Sequence, residues 1–155
     1  MRQTRSLGGV RRVLVVVGAV FAGALPSAGE ATADGPVAFR SQLDDVCLDA
    51  PSGGWPSNVM INACNGTDFQ RWNVTGDQKL ESVAFPGRCL TMPDGIGAVN
   101  LKGCLTSSRW NIQPDGHITT VFGACLTVLG GPGPGTLVST RVCNGGPEQG
   151  WDSIS

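Results

Sequence analysis

Three acidic side chains fall close together at Asp44, Asp45 and Asp49, and the chain holds a single histidine, His117. These are the residue types that do acid–base chemistry. A glycosidase needs two carboxyl groups held about 5 to 10 Å apart, and neighbouring acids on a turn are one way to hold them. A Ser–His–acid relay would have to run through His117. That histidine, however, stands in Pro114-Asp115-Gly116-His117, a turn sequence in which a solvated imidazole is the plainer reading. Adjacent acids are likewise ordinarily a solvated hairpin edge, and the chain is expected not to be an enzyme.

The six cysteines are the next chemical group: Cys47, Cys64, Cys89, Cys104, Cys125 and Cys143. A metal site would want short Cys-x-x-Cys or Cys/His clusters, and none occurs, so no metal and no cofactor is expected. An even number of cysteines in a small exported chain reads as a disulfide framework. Six allow 15 connectivities, but a repeat chooses among them. Cys-Leu occurs at Cys47, Cys89 and Cys125, and each copy continues to a second cysteine and then a tryptophan, Trp72, Trp110 or Trp151. Pairing within copies gives Cys47 with Cys64, Cys89 with Cys104 and Cys125 with Cys143. Each bridge would close a loop worth roughly 3 kcal/mol by chain entropy.

The elements that carry these groups read as strands. Val37-Ala38-Phe39-Arg40-Ser41, Leu80 to Val83 and Ile118 to Val121 each lead through turn residues to a Cys-Leu pair, the pattern of a β-hairpin. A Gly/Pro loop follows, then a further apolar run beginning near Val59, Val99 or Leu137. No helical periodicity occurs beyond the first residues. About four strands per copy make twelve, and three four-stranded units around one axis make an all-β fold, a β-trefoil; a propeller typically needs at least four blades. The repeats span about 37–78, 79–116 and 117–155. Their tryptophans are expected in the core, since indole buries a large apolar area.

Residues 1–33 stand apart. Arg2, Arg5, Arg11 and Arg12 precede the apolar run Val13 to Leu25, and Ala31-Thr32-Ala33 is a small-x-small cleavage site, which together read as a secretory signal peptide. The apolar run is shorter than the ~20 residues of a membrane span, so no membrane span is expected after cleavage. Residues 34–155 then form one domain with 7 basic and 11 acidic side chains, a net charge of −4. An acidic domain without a basic run has no footprint for nucleic acid. The localisation expected is secreted, with retention at the cell envelope left open.

The threefold Cys-Leu start, the cysteine pair within each copy and the Gln-x-Trp triplets Gln70-Arg71-Trp72 and Gln149-Gly150-Trp151 resemble the ricin-type β-trefoil lectins. The middle copy reads Ser108-Arg109-Trp110 instead. The resemblance implies carbohydrate binding without catalysis, a glycan or glycoconjugate being the partner. In that family an Asp two residues after the first cysteine accepts from sugar hydroxyls, an aromatic two residues before the second cysteine stacks on the sugar, and an amide near Gln-x-Trp supports them. Transferred to this chain, the first copy keeps Asp49 and Gln70 but has Asn62 at the stacking position and Phe69 before Gln70. Trp55, in the intervening loop, and Phe69 are candidate aromatic walls. The second copy has Thr91 and Lys102, and the third has Thr127 and Arg141, so no family-type site is expected in either. The alternative reading is an exported, disulfide-stapled scaffold for a protein or envelope partner, with sugar binding lost.

Overall fold

The computed structural model describes residues 35–155; the stretch read as an export signal lies outside them. Twelve short strands follow one another in three sets of four. The first set is β1 (Ala38–Ser41), β2 (Val46–Asp49), β3 (Met60–Ala63) and β4 (Trp72–Val74). The second is β5 (Leu80–Ser82), β6 (Arg88–Thr91), β7 (Asn100–Gly103) and β8 (Trp110–Ile112). The third is β9 (Ile118–Thr120), β10 (Cys125–Val128), β11 (Thr136–Arg141) and β12 (Trp151–Ile154). The only helical turns among the described residues are three single 3-10 turns, each just before the tryptophan of its copy.

Six of the strands form a barrel. β1 lies antiparallel to β12 from Ala38↔Ile154 to Ser41↔Trp151, β4 pairs with β5, and β8 pairs with β9. The three ribbons are joined by one repeated contact, in which the backbone N–H of each repeat tryptophan donates across the seam. Trp72 donates to the Val37 carbonyl at 2.8 Å, Trp110 to Gln78 at 2.7 Å and Trp151 to Gly116 at 2.8 Å. The remaining strands make three hairpins, β2 with β3, β6 with β7 and β10 with β11. This is a β-trefoil.

The Cys-Leu repeat has a physical reason. The leucine side chains of Leu48, Leu90 and Leu126 are wholly buried in one apolar cluster with Trp72, Trp110 and Trp151. Their carbonyls accept the three indole N–H groups, Trp72 to Leu48 at 3.2 Å, Trp110 to Leu90 at 2.9 Å and Trp151 to Leu126 at 3.0 Å. A buried indole keeps its large apolar area only if its one donor finds an acceptor, and the leucine two strands back supplies it. The cysteines pair within copies as the repeat predicts, Cys47 with Cys64, Cys89 with Cys104 and Cys125 with Cys143.

Where the hairpins meet, three valines close a ring. The Val59 N–H donates to Val99 at 2.9 Å, Val99 to Val138 at 2.8 Å, and Val138 back to Val59 at 3.4 Å. All three are fully buried. The ring holds the three hairpins in fixed relation, and with them the grooves between hairpins.

Candidate functional site

The site is built on the β2/β3 hairpin. Antiparallel pairing sets Cys47 opposite Asn62 and Asp49 opposite Met60, so these four side chains share one face, while Leu48 and Ile61 point to the core. The 3-10 turn Asp68–Gln70 is drawn against the end of β2 by the Ala50 N–H, which donates to the Phe69 carbonyl at 2.9 Å. That contact brings Gln70 beneath Asp49. Gln70 is 1% exposed; its Nε2 donates to Asp49 Oδ2 at 2.9 Å and to the Ala63 carbonyl at 2.9 Å, and its Oε1 accepts from the Asn65 N–H at 2.9 Å.

Asp49 itself is 5% exposed, and its second oxygen, Oδ1, has no hydrogen-bond partner. A buried carboxylate oxygen without a donor is costly.

The third copy provides an internal control. Gln149 is equally buried and repeats the contacts of Gln70: Nε2 donates to Thr127 Oγ1 at 3.1 Å and to the Val142 carbonyl at 2.9 Å, and Oε1 accepts from the Asn144 N–H at 2.7 Å. Thr127, standing where Asp49 stands in the first copy, also donates to the Cys125 carbonyl at 2.8 Å. Every polar atom of this brace is satisfied. In the second copy Thr91 donates to Cys89 in the same manner at 3.1 Å, and Ser108 replaces the glutamine, accepting from the Met92 N–H at 2.9 Å. The brace therefore needs a hydroxyl at most, and the first copy alone carries a charge there.

The aromatic candidates are split. Phe69 is 43% exposed and lies 5.9 Å from the ring of Phe85, tilted by 52°; its backbone carbonyl takes the N–H of Ala50, the residue after Asp49. Trp55 is 95% exposed. It lines a groove with Asn58, Arg88, Asp94, Asn100 and Lys102, and neither Asp49 nor Gln70 lines that groove. The cause is the path of the β2/β3 loop, which is tied to the second copy. Ser57 Oγ donates to the Leu101 carbonyl at 2.9 Å and accepts from the Leu101 N–H at 3.2 Å. Gly53 presses on Phe85 so closely that a β-carbon there would fall 2.5 Å from the ring.

Met60 stands opposite Asp49 through the register of β2 with β3, which strand alternation by itself does not set. The second-copy residues beside Trp55 were not legible either, because no spacing within one copy encodes a contact between two. Among the described residues no cluster of His, Cys, Asp or Glu is placed to hold a metal ion, and no helix is long and apolar enough to cross a membrane. His117 Nδ1 lies 2.9 Å from Asp115 in an exposed turn.

A family model for the ricin-type beta-trefoil lectin domain matches residues 35–151. The chain belongs to the ricin-type β-trefoil lectin family. An uncharacterised protein of Mycobacterium tuberculosis is 57% identical over 157 aligned positions that cover 99% of each chain. Among solved structures, the agglutinin of Abrus precatorius superposes with a TM-score of 0.66 at 20% identity, over 77% of this chain and 48% of that one. The β-trefoil lectin of the Vibrio vulnificus hemolysin/cytolysin, solved with N-acetyl-D-lactosamine bound, superposes with a TM-score of 0.65 at 18% identity, over 77% and 93%. At those identities the structural likeness establishes the fold. Within this ricin-type fold, the first copy sets the Asp49 carboxylate on the β2/β3 hairpin and the half-exposed ring of Phe69 on the 3-10 turn packed against the end of β2.

Proposed function

We propose that the chain is a secreted carbohydrate-binding protein of the ricin-type family with one family-like sugar site, in its first copy. The observation that carries this reading is the contrast between Asp49 and Thr127. Both take the amide of a buried glutamine, but only Asp49 adds a charge and an acceptor oxygen with no partner. A purely structural role is already filled by threonine in the third copy. A free carboxylate oxygen is instead suited to vicinal sugar hydroxyls, to which charge-assisted hydrogen bonds are roughly twice as strong as neutral ones. Gln70 holds the carboxylate in place, Asn62 adds an amide on the same face, and Phe69 provides the apolar wall. Asp49 Oδ1 is buried, so entry of a sugar requires neighbouring side chains to move. A single site of this kind binds weakly on its own, so useful avidity comes from clustered ligands.

The test is a glycan array probed with the oxidised 34–155 domain and with Asp49→Thr, the substitution the third copy shows to be compatible with the brace. Binding by the parent and at least about tenfold weaker binding by the variant is expected, the loss of one charged hydrogen bond. Absence of glycan binding by the parent, or equal binding by both, would instead favour the exported scaffold.

A further inference from the structure

The groove that contains Trp55 lies between the hairpins of the first and second copies, and its chemistry differs from that of the Asp49 site. Its volume is about 220 Å³. Part of its lining is the indole of Trp55, 95% exposed, an apolar face on which a ligand's C–H groups can pack. The same lining includes two of the seven cations of residues 34–155, Arg88 and Lys102. Lys102 is neutralised by Asp94 at 2.7 Å. Arg88 makes no ion pair among the described residues. Its Nη2 donates to the Leu101 carbonyl at 3.1 Å, and its Nε is buried without any acceptor. The lining thus combines a net positive charge on an acidic domain, from a guanidinium that makes no ion pair among the described residues, with an exposed indole.

We propose that this inter-copy groove is a second ligand site, for a saccharide that carries an anionic group. The pyranose C–H face packs on Trp55, and the anion is taken by Arg88 with Lys102 beside it; a planar guanidinium matches carboxylate and phosphate alike. That the ligand is a saccharide rests on the family reading; the fit of an anion to the groove does not. Asp94 orders Lys102 and repels an anion placed on its own side, so the charge of the ligand is directed toward Arg88.

Trp55 is also the reporter. The other three tryptophans are buried to 3% exposure or less, so a ligand that reaches this groove changes the emission of one indole. The full oxidised 34–155 domain is titrated with methyl β-glucuronide, with glucose 6-phosphate and with neutral methyl β-glucoside, following tryptophan fluorescence. The expected result is a saturable shift with one or both anionic sugars, at least about tenfold weaker with the neutral one, as expected for one charged contact. The shift vanishes in Trp55→Ala, weakens in Arg88→Gln and persists in Asp49→Thr. Carboxylate and phosphate are told apart by which of the first two sugars responds. Lys102→Gln, on an exposed side chain, repeats the test should Arg88→Gln fail to fold. Equal response to charged and neutral sugars, or no response up to the solubility limit, would overturn the proposal. Loss of glycan-array binding in Asp49→Thr with an unresponsive Trp55 would sink this site and leave the first intact.

Discussion

At the scale of single residues, the two buried glutamines make the most informative pair. Gln70 and Gln149 each satisfy one backbone N–H and one backbone carbonyl, and differ only in the side chain they brace. Removing Gln149 orphans two backbone groups, which costs about 1 to 3 kcal/mol for each group left without a partner. Removing Gln70 does the same and also strips Asp49 of its only donor. Gln70→Ala is therefore expected to destabilise the fold more than Gln149→Ala, by roughly a further 1 to 3 kcal/mol, as measured by urea unfolding of the oxidised domain. Asp49→Thr removes an unpaired charged oxygen and keeps the brace. It is expected to leave stability within about 1 kcal/mol of the parent or to raise it, so that lost glycan binding in that variant cannot be blamed on unfolding.

At the scale of elements, the seam of the barrel is governed by turns. The turns β4/β5 and β8/β9 present Gln78 and Gly116 to the N–H of the next tryptophan. Gln78 holds φ at +66° and Gly116 at +93°, backbone in which a side chain costs roughly 1 to 2 kcal/mol. Gln78→Gly is expected to gain a few tenths to about 1 kcal/mol once the extra chain entropy of glycine is subtracted. Gly116→Ala is expected to lose stability, because a β-carbon would also fall 2.9 Å from Gln42 Nε2 and 3.2 Å from the Trp151 carbonyl. Thermal midpoints of the two variants check the opposite signs. The same turns shape the acid limb. Asp77 is held below its ordinary value by the Thr75 hydroxyl, with its own backbone N–H and then Lys79 adding to it, and Asp115 by the backbone N–H and side chain of His117. An acid whose folded value is depressed contributes stability that is present above its unfolded value, near 3.9, and is lost as pH falls through the depressed one. Asp115→Asn is expected to flatten stability against pH below about 4, as read by urea unfolding across that range.

Elements also explain what could be read without coordinates. The pairing of cysteines and the burial of Trp72, Trp110 and Trp151 are relations within one copy, repeated three times, and the repeat exposes them. The position of Trp55 depends on Ser57 meeting Leu101 and Gly53 meeting Phe85, contacts between copies that no periodicity records. The same holds for Arg88: its charge is visible in the chain, but that its Nε lacks an acceptor follows only from how the hairpins pack.

At the scale of the molecule, stability rests on three staples and one core. Each disulfide closes a span of 15 to 18 residues, and each is worth roughly 3 kcal/mol in the unfolded state. Since a domain of this size has about 5 to 15 kcal/mol in total, reduction is expected to bring it close to unfolding at 37 °C. A near-ultraviolet circular dichroism melt with and without a thiol reductant measures this. An apolar indole in the core is the other large contribution: Trp110→Ala is expected to cost about 3 to 5 kcal/mol.

The valine ring bears on how the domain comes apart. Val59, Val99 and Val138 each give one N–H and take one, so the circuit cannot be opened at one member without stranding groups on the other two. No third of the chain can fray by itself at that point, and the three amides are bound to exchange with deuterium only when the entire fold opens. Their exchange rates should accordingly be slow, alike, and slowed or speeded together by any substitution elsewhere, making this small hub a gauge of global cooperativity.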